Sequence, residues 1–451
     1  MDDKKQNYLE ITSLEDLMRI NSQEAYFSKE IKLFNKNTGL ELVDFSLYCS
    51  QISRFSNLKR IYIQYMDHQD LKQIKGLYEF LSQIKNLNSL CLMFRYCNDL
   101  EEESLSQIAK CFQIQSNLKD VLLDFYFCTN LKNEYVLELC QIISKNEILK
   151  RFCFQMGWNK QITQESVDYL SNSLRNKLQL KELDLSFHYL SNIESLDGLT
   201  ETLLGLSHLN VLSLNLGGCK KIKTNEINKL FQVFQNLKQL NNLTIDVYSC
   251  NINDQSISIL GDSISQCEFV KSLQFDFGDI QEIKNIQQLG NSISQLHSLQ
   301  NLYYNLLSSS NLVDGPFGFQ TKNRNYLQQL CIILDDCKNL SAQSLESMAS
   351  DLQFLVNLKE LNVSLEKCAN IGEEFYENLS LSIKNMNSLI IVKFLKLHQI
   401  EKYRLNQLIN SLKLIQCLRS SVKFERLMQF AKTEPKPDAP IIAIKFKIFK
   451  Y

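Results

Sequence analysis

No run of about 18 or more apolar residues occurs in the 451-residue chain, which excludes a transmembrane helix. The opening residues, MDDKKQNYLEIT, are polar and lack the apolar segment of a secretory signal, so none is expected. Charge of one sign is also missing. The chain has 49 Lys and Arg against 50 Asp and Glu, interspersed, for a net charge of −1. That balance offers neither a basic nucleic-acid footprint nor an acidic tail. Proline and glycine are scarce, with 4 and 13 copies, and three of the prolines (Pro435, Pro437, Pro440) sit near the end.

The motifs of enzymes are absent too. There is no G-x-x-x-x-G-K-S/T, and Gly217–Gly218 before Cys219 reads as a turn. No G-x-S-x-G elbow, H-E-x-x-H or Cys/His zinc spacing appears. The histidines (His68, His188, His208, His297, His398) are scattered, and no close carboxylate pair stands out for acid–base work. The expectation is a non-enzyme with no catalytic residues, no metal and no cofactor, binding neither nucleic acid nor membrane. The 14 cysteines include no C-x-x-C pair. Without a secretory signal they read as reduced thiols in a cytoplasmic protein, with the nucleus or a cytoskeletal assembly as other settings.

What is present is a repeat. The phrases SNLKRIYIQY, KNLNSLCLMF, SNLKDVLLDF, LQLKELDLSF, SHLNVLSLNL and VNLKELNVSL recur. The third residue of each phrase anchors twelve units, from Leu58, Leu87 and Leu118 to Leu358 and Leu389, spaced 28–31 residues apart. Positions three, five and seven after the anchor are apolar or aromatic in 35 of 36 cases, Lys396 being the exception. Alternation over so short a run predicts a half-buried strand. The second half of each unit changes period: Leu105, Ile108 and Phe112 mark an amphipathic helix, as do Val136, Leu139 and Ile143.

Strand, turn, helix and return in 28–31 residues resemble the leucine-rich-repeat family, in its helix-backed, ribonuclease-inhibitor-like class. The resemblance covers about residues 28–415. It implies an α/β solenoid of about 12–13 repeats, a curved horseshoe with a parallel concave sheet and convex helices. Cys97, Cys128, Cys219, Cys250, Cys337 and Cys368, each ten residues after an anchor, look like the cysteine-containing variant of the repeat. A thiol there can pack in the turn and donate to a neighbouring repeat's carbonyl. Neighbouring pairs about one strand spacing apart also leave disulfides or metal binding geometrically open.

The expected organisation is an N-terminal cap over 1–27, a solenoid with a helical C-terminal cap over 28–431, and a Pro-containing linker with a terminal strand over 432–451. A helix is expected to start near Ser13, and a degenerate capping repeat near Ser28. Gly315, Pro316 and Gly318 break the helix of one repeat, leaving either a tolerated variation or a partner-contact loop. In the tail, Ile442, Ile444, Phe446 and Ile448 alternate with smaller or charged residues. That strand could pair with a partner or dock on its own solenoid.

Positions four, six and eight after each anchor are expected on the concave solvent face. Acidic residues outnumber basic ones there. Asp124, Tyr126, Asp184, Asp246, Tyr248 and Asp276 are the candidate partner-binding residues, suited to a protein with a basic surface. A solvated face with no ligand is the plainer alternative. Lys59, Lys119, Lys150, Lys181, Lys271 and Lys359 follow their anchors by one residue, as a basic rim or simply a solvated edge. The expected function is a protein-interaction scaffold. The alternatives are a substrate-receptor subunit of a ubiquitin ligase or a regulator of a small GTPase. Against the first stands the absence of proline from the first 57 residues, and against the second the lack of an acidic C-terminal tail.

Overall fold

A computed structural model describes residues 8–34, 42–68, 71–115, 117–314, 326–386, 388–389, 391–395 and 444–445. The chain divides into two compact units, Met1–Lys223 and Thr224–Tyr451.

In the first unit the described strands are Tyr8–Ile11, Glu30–Phe34, Arg60–Gln64, Ser89–Met93, Asp120–Asp124, Arg151–Gln155, Glu182–Ser186 and Val211–Asn215. They form one parallel sheet in chain order. Register follows repeat phase, so Leu90 stands opposite both Ile61 and Val121. A side sheet of two parallel strands, Leu42–Asp44 and Gln73–Lys75, accompanies it.

The second unit repeats the scheme with Asn242–Asp246, Ser272–Asp276, Asn301–Asn305, Gln329–Ile333, Glu360–Ser364 and Ile391–Leu395, again parallel. Ile444–Lys445 joins the last of these in the antiparallel sense, opposite Phe394 and Lys393. Among the described residues, then, part of the tail pairs with the chain's own sheet. The remainder of 432–451, the segment around Gly315–Gly318 and the expected terminal helix after Leu389 lie outside the described residues.

The alternation in sequence becomes a buried layer. Leu90, Leu92 and Phe94 are buried, as are Leu361, Val363 and Leu365. Each strand is followed by a turn and, in most repeats, a helix that closes the core from the other side. In Glu102–Ile114 and Asn133–Lys145 the apolar stripe (Leu105, Ile108, Phe112; Val136, Leu139, Ile143) is buried. One repeat alone cannot cover its strand and helix, so stacking supplies the core. The fold is that of a leucine-rich-repeat solenoid.

Polar side chains bridge neighbouring repeats where helices end. Gln115 donates from Nε2 to Leu81 O at 2.7 Å and Ile84 O at 3.0 Å. Lys177, 5% exposed, donates from Nζ to Ser144 O at 2.6 Å and Asn146 O at 2.8 Å. A cation among the open carbonyls at the end of Asn133–Lys145 also suits the helix dipole. At the N-terminus, Ser13 caps Leu14–Arg19, its Oγ accepting from Asp16 N at 3.2 Å. The strand Tyr8–Ile11 has no signal in the sequence, because its four residues belong to no repeat phrase.

The turn cysteines do one recurrent job. Cys97 Sγ donates to Tyr65 O at 3.1 Å, Cys128 to Phe94 O at 2.8 Å, Cys219 to Phe187 O at 3.0 Å and Cys337 to Leu306 O at 3.0 Å. Asn159 and Ser309 take the same place with the same partner position, at 2.8 Å from Phe125 O and 3.1 Å from Phe277 O. The bridge therefore needs a small donor rather than sulfur, and the repeats of Leu190 and Ile280 fill the place with an aliphatic side chain instead. Among the described residues the thirteen cysteines are free thiols. Burial pushes Cys97 and Cys337 up to about 12.

Candidate partner-binding surface

The open face of each sheet carries the side chains at positions four, six and eight. In Arg60–Gln64 the alternation is clear: Ile61 and Ile63 are buried, Tyr62 is half-buried and Gln64 exposed. Three of the expected acids turn out to have local work. Asp124 Oδ1 accepts from Tyr126 N, Asp246 Oδ1 from Tyr248 N and Asp276 Oδ1 from Gly278 N, each at 3.0 Å. Asn215 and Asn305 do the same for Gly217 N and Leu307 N. A carboxylate or amide two residues before a turn N–H is an Asx turn, which closes the strand end. This accounts for much of the acidic excess at position six.

Asp124 also departs from the expected solvent-facing placement, being 1% exposed. Arg95 from the preceding repeat covers it, with Nη2 at 2.8 Å and Nε at 3.0 Å from Oδ2. Asp184 is half-buried and accepts from Gln155 Nε2 at 3.1 Å and Cys153 Sγ at 3.4 Å. Asp276 accepts from Asn305 Nδ2 at 2.9 Å, and burial raises its carboxyl above the usual range.

The tyrosines pack against glycines of the next repeat. A methyl group on Gly157 would meet Tyr126 Cε2 at 3.0 Å, and one on Gly278 would meet Tyr248 Cδ2 at 2.9 Å. Asp124–Tyr126 and Asp246–Tyr248 are thus versions of one arrangement, one in each unit. In the first unit it is elaborated. The Arg95 guanidinium sits 5.2 Å from the Tyr126 ring centre. The Tyr126 hydroxyl lies 3.1 Å from His188 Nδ1. Burial lowers the pKa of His188, which favours its neutral form.

Beside this cluster stands a row of aromatic rings at position nine, which pattern reading missed. Tyr96, Phe127, Trp158 and Tyr189 occupy four consecutive repeats and are half-buried. Ring centres are 5.5 Å apart for Tyr96–Phe127, 5.7 Å for Phe127–Trp158 and 4.3 Å for Trp158–Tyr189. Their φ angles are 61°, 59°, 62° and 54°. The left-handed turn aims each N–H at the next repeat: Trp158 N donates to His188 O at 2.7 Å, and Tyr189 N to Gly217 O at 2.7 Å. Such a φ costs a bulky residue roughly 1–2 kcal/mol. Other repeats fill the position with Asp67, Gly218, Ser249, Asp279, Ser308, Asp336 or Lys367. The signal lay in the sequence, as four aromatics at one phase, but alternation within the strand does not extend to the turn.

Among the described residues, no group of three or more His, Cys, Asp or Glu could hold a metal ion, and no helix is long and apolar enough to cross a membrane. No family model matches the chain, and no curated protein does. The chain is similar to the yeast Rad7 and Elc1 complex at 17% identity and a TM-score of 0.48, over 73% of this chain and 75% of that one. It is also similar to the TLR13–ssRNA13 complex at 16% identity and a TM-score of 0.39, over 85% of this chain and 57% of that one.

Proposed function

We propose that the chain is a non-enzymatic interaction scaffold that binds a protein partner through the open, concave face of its sheet. The observation that carries this reading is the aromatic row Tyr96–Phe127–Trp158–Tyr189. Six of the seven other described repeats use Gly, Ser or Asp at this turn and one uses Lys367, whereas four consecutive repeats place rings there. Tyr, Trp and Arg are the side chains that most often anchor protein interfaces, since they bury large area at modest entropic cost. Here they meet Arg95, Tyr126 and His188 in one cluster.

Asp184 in the first unit, and Asp246, Tyr248 and Asp276 in the second, supply polar contacts on each unit's own open face, and the carboxylates favour a partner with a basic surface. Asp124 acts indirectly, by holding Arg95 under the Tyr126 ring. We also place the repeats in the ribonuclease-inhibitor-like class, because helices such as Asn133–Lys145 and Glu373–Asn385 fill the returns.

The test is affinity purification of the full chain and of a Phe127→Ser, Trp158→Ser variant, with retained proteins quantified by mass spectrometry. Serine is already used at this turn in Ser249 and Ser308, so the variant should fold, as circular dichroism would verify. The reading expects proteins retained by the natural chain to be lost from the variant. An unchanged set of retained proteins contradicts it.

A further inference from the structure

The opposite ends of these strands, where they begin, carry a feature that the open face does not use. Lys59, Asn88, Lys119, Lys150 and Lys181 stand in one register, each directly before its strand, and Lys29 extends the row by one place. Their main chains are tied into a ladder. Lys119 O accepts from Lys150 N at 2.7 Å and Arg151 N at 3.0 Å, and Lys150 O accepts from Lys181 N at 2.8 Å and Glu182 N at 3.1 Å. Adjacent rungs are therefore about one strand spacing, roughly 4.8 Å, apart.

The fold does not require lysine here. Asn88 and Asn210 hold the place in this unit, and the second unit uses Asn241, Gln300 and Gln328 there as well as Lys271 and Lys359. Cations stacked one strand spacing apart repel one another. The five lysines are half to fully exposed, and none holds an ion pair among the described residues. Two nearby carboxylates are engaged elsewhere, Glu30 with Arg60 at 3.6 Å and Glu182 with Arg151 at 2.6 Å, which leaves Asp120 as the one acid of the lining without an ion pair among the described residues. The row borders a recess of about 530 Å³, lined by Lys29, Lys59, Lys119 and Lys150 with Asn88 among them.

We propose that this groove binds an extended acidic peptide segment of a protein partner. Four strand spacings, about 19 Å, match five or six extended residues of about 3.3–3.6 Å each. The lining is charged or amide throughout, with Arg60, Glu30 and Asp120 completing it. No ring lines the groove to stack a base, and no apolar side chain lines it to enter a bilayer. The lysine ammoniums are flexible point charges that suit carboxylates at varied geometry rather than one fixed planar pair. The main-chain oxygens of the ladder are doubly occupied, so recognition rests on side-chain charge and is salt-dependent. This surface is separate from the aromatic row, and either can fail without the other.

The experiment is fluorescence anisotropy of the full chain with fluorescein-labelled hexaglutamate at about 50 mM salt, where screening is weak. A Lys119→Gln, Lys150→Gln, Lys181→Gln variant borrows the residue found at this place in Gln300 and Gln328, and circular dichroism verifies its fold. The corresponding triple arginine variant keeps the charge. Hexaglutamate is expected to bind the natural chain and the arginine variant. Binding should weaken at least about tenfold in the glutamine variant, and likewise at about 300 mM salt. Equal binding by the glutamine variant would overturn the proposal. So would tighter binding of a six-residue oligothymidylate or of phosphatidylserine vesicles, which would move the site to nucleic acid or membrane.

Discussion

Asn159 donates from Nδ2 to the main-chain oxygen of Phe125 at 2.8 Å, across the boundary between two repeats. It also reaches Met156 O at 2.9 Å and is fully buried. The two preceding repeats make the same bridge with a thiol, Cys97 and Cys128. Asn159→Ala strands two buried carbonyls and should destabilise the chain by about 2 kcal/mol in urea titration. Asn159→Cys restores the donor used at Cys128 and should cost markedly less.

Lys177 plays the corresponding part at a helix end. Lys177→Met keeps the aliphatic stem and removes two charge-assisted hydrogen bonds to Ser144 O and Asn146 O. The expected loss is about 2–3 kcal/mol, read from the shift of the denaturation midpoint. A change below about 0.5 kcal/mol, the usual scale of surface substitutions, would mean that water serves those carbonyls as well.

Gly157 lies under Tyr126 and beside His188. A Cβ there would sit 2.8 Å from His188 O and 3.0 Å from Tyr126 Cε2. Gly157→Ala should destabilise by about 1–3 kcal/mol and change the fluorescence of Trp158, the only tryptophan in the chain.

His188 gives the cluster a pH dependence. Burial holds its folded pKa below the unfolded value of 6.5, so the unfolded chain binds more protons between the two. Stability therefore rises with pH through that window and is lost as pH falls below about 6.5. Thermal midpoints measured from pH 7 down to 5 should fall more for the natural chain than for His188→Gln. Parallel curves would show that His188 carries no such linkage.

The buried thiols should be inert in the native state. Ten of the described cysteines are buried, and burial pushes Cys91 and Cys140 up to about 12. Iodoacetamide labelling at pH 8 with peptide mapping should leave these ten unmodified in native protein and modify them in urea.

The fold was legible because each repeat restates one pattern. Leu90, Leu92 and Phe94 announce a strand by alternation, and Leu105, Ile108 and Phe112 a helix by their spacing. The donor role of Cys128 could be anticipated because its phase places it in the turn. The surface was less legible. Asp124 looks like an exposed acid by phase, yet Arg95, 29 residues earlier, folds over it. Phase gives the direction of a side chain and says nothing of a long neighbour that covers it. Trp158 was overlooked for a related reason, since its role depends on three rings in other repeats and on a left-handed turn.

Trp158 offers the most direct test, because it alone supplies tryptophan emission and sits within the aromatic row. The measurement is intrinsic fluorescence of the full chain titrated with a protein partner recovered by affinity purification. A partner seated on this face should shift or quench the emission saturably, with the same midpoint as binding measured independently. Binding that leaves Trp158 emission unchanged would contradict the assignment of this face as the docking surface.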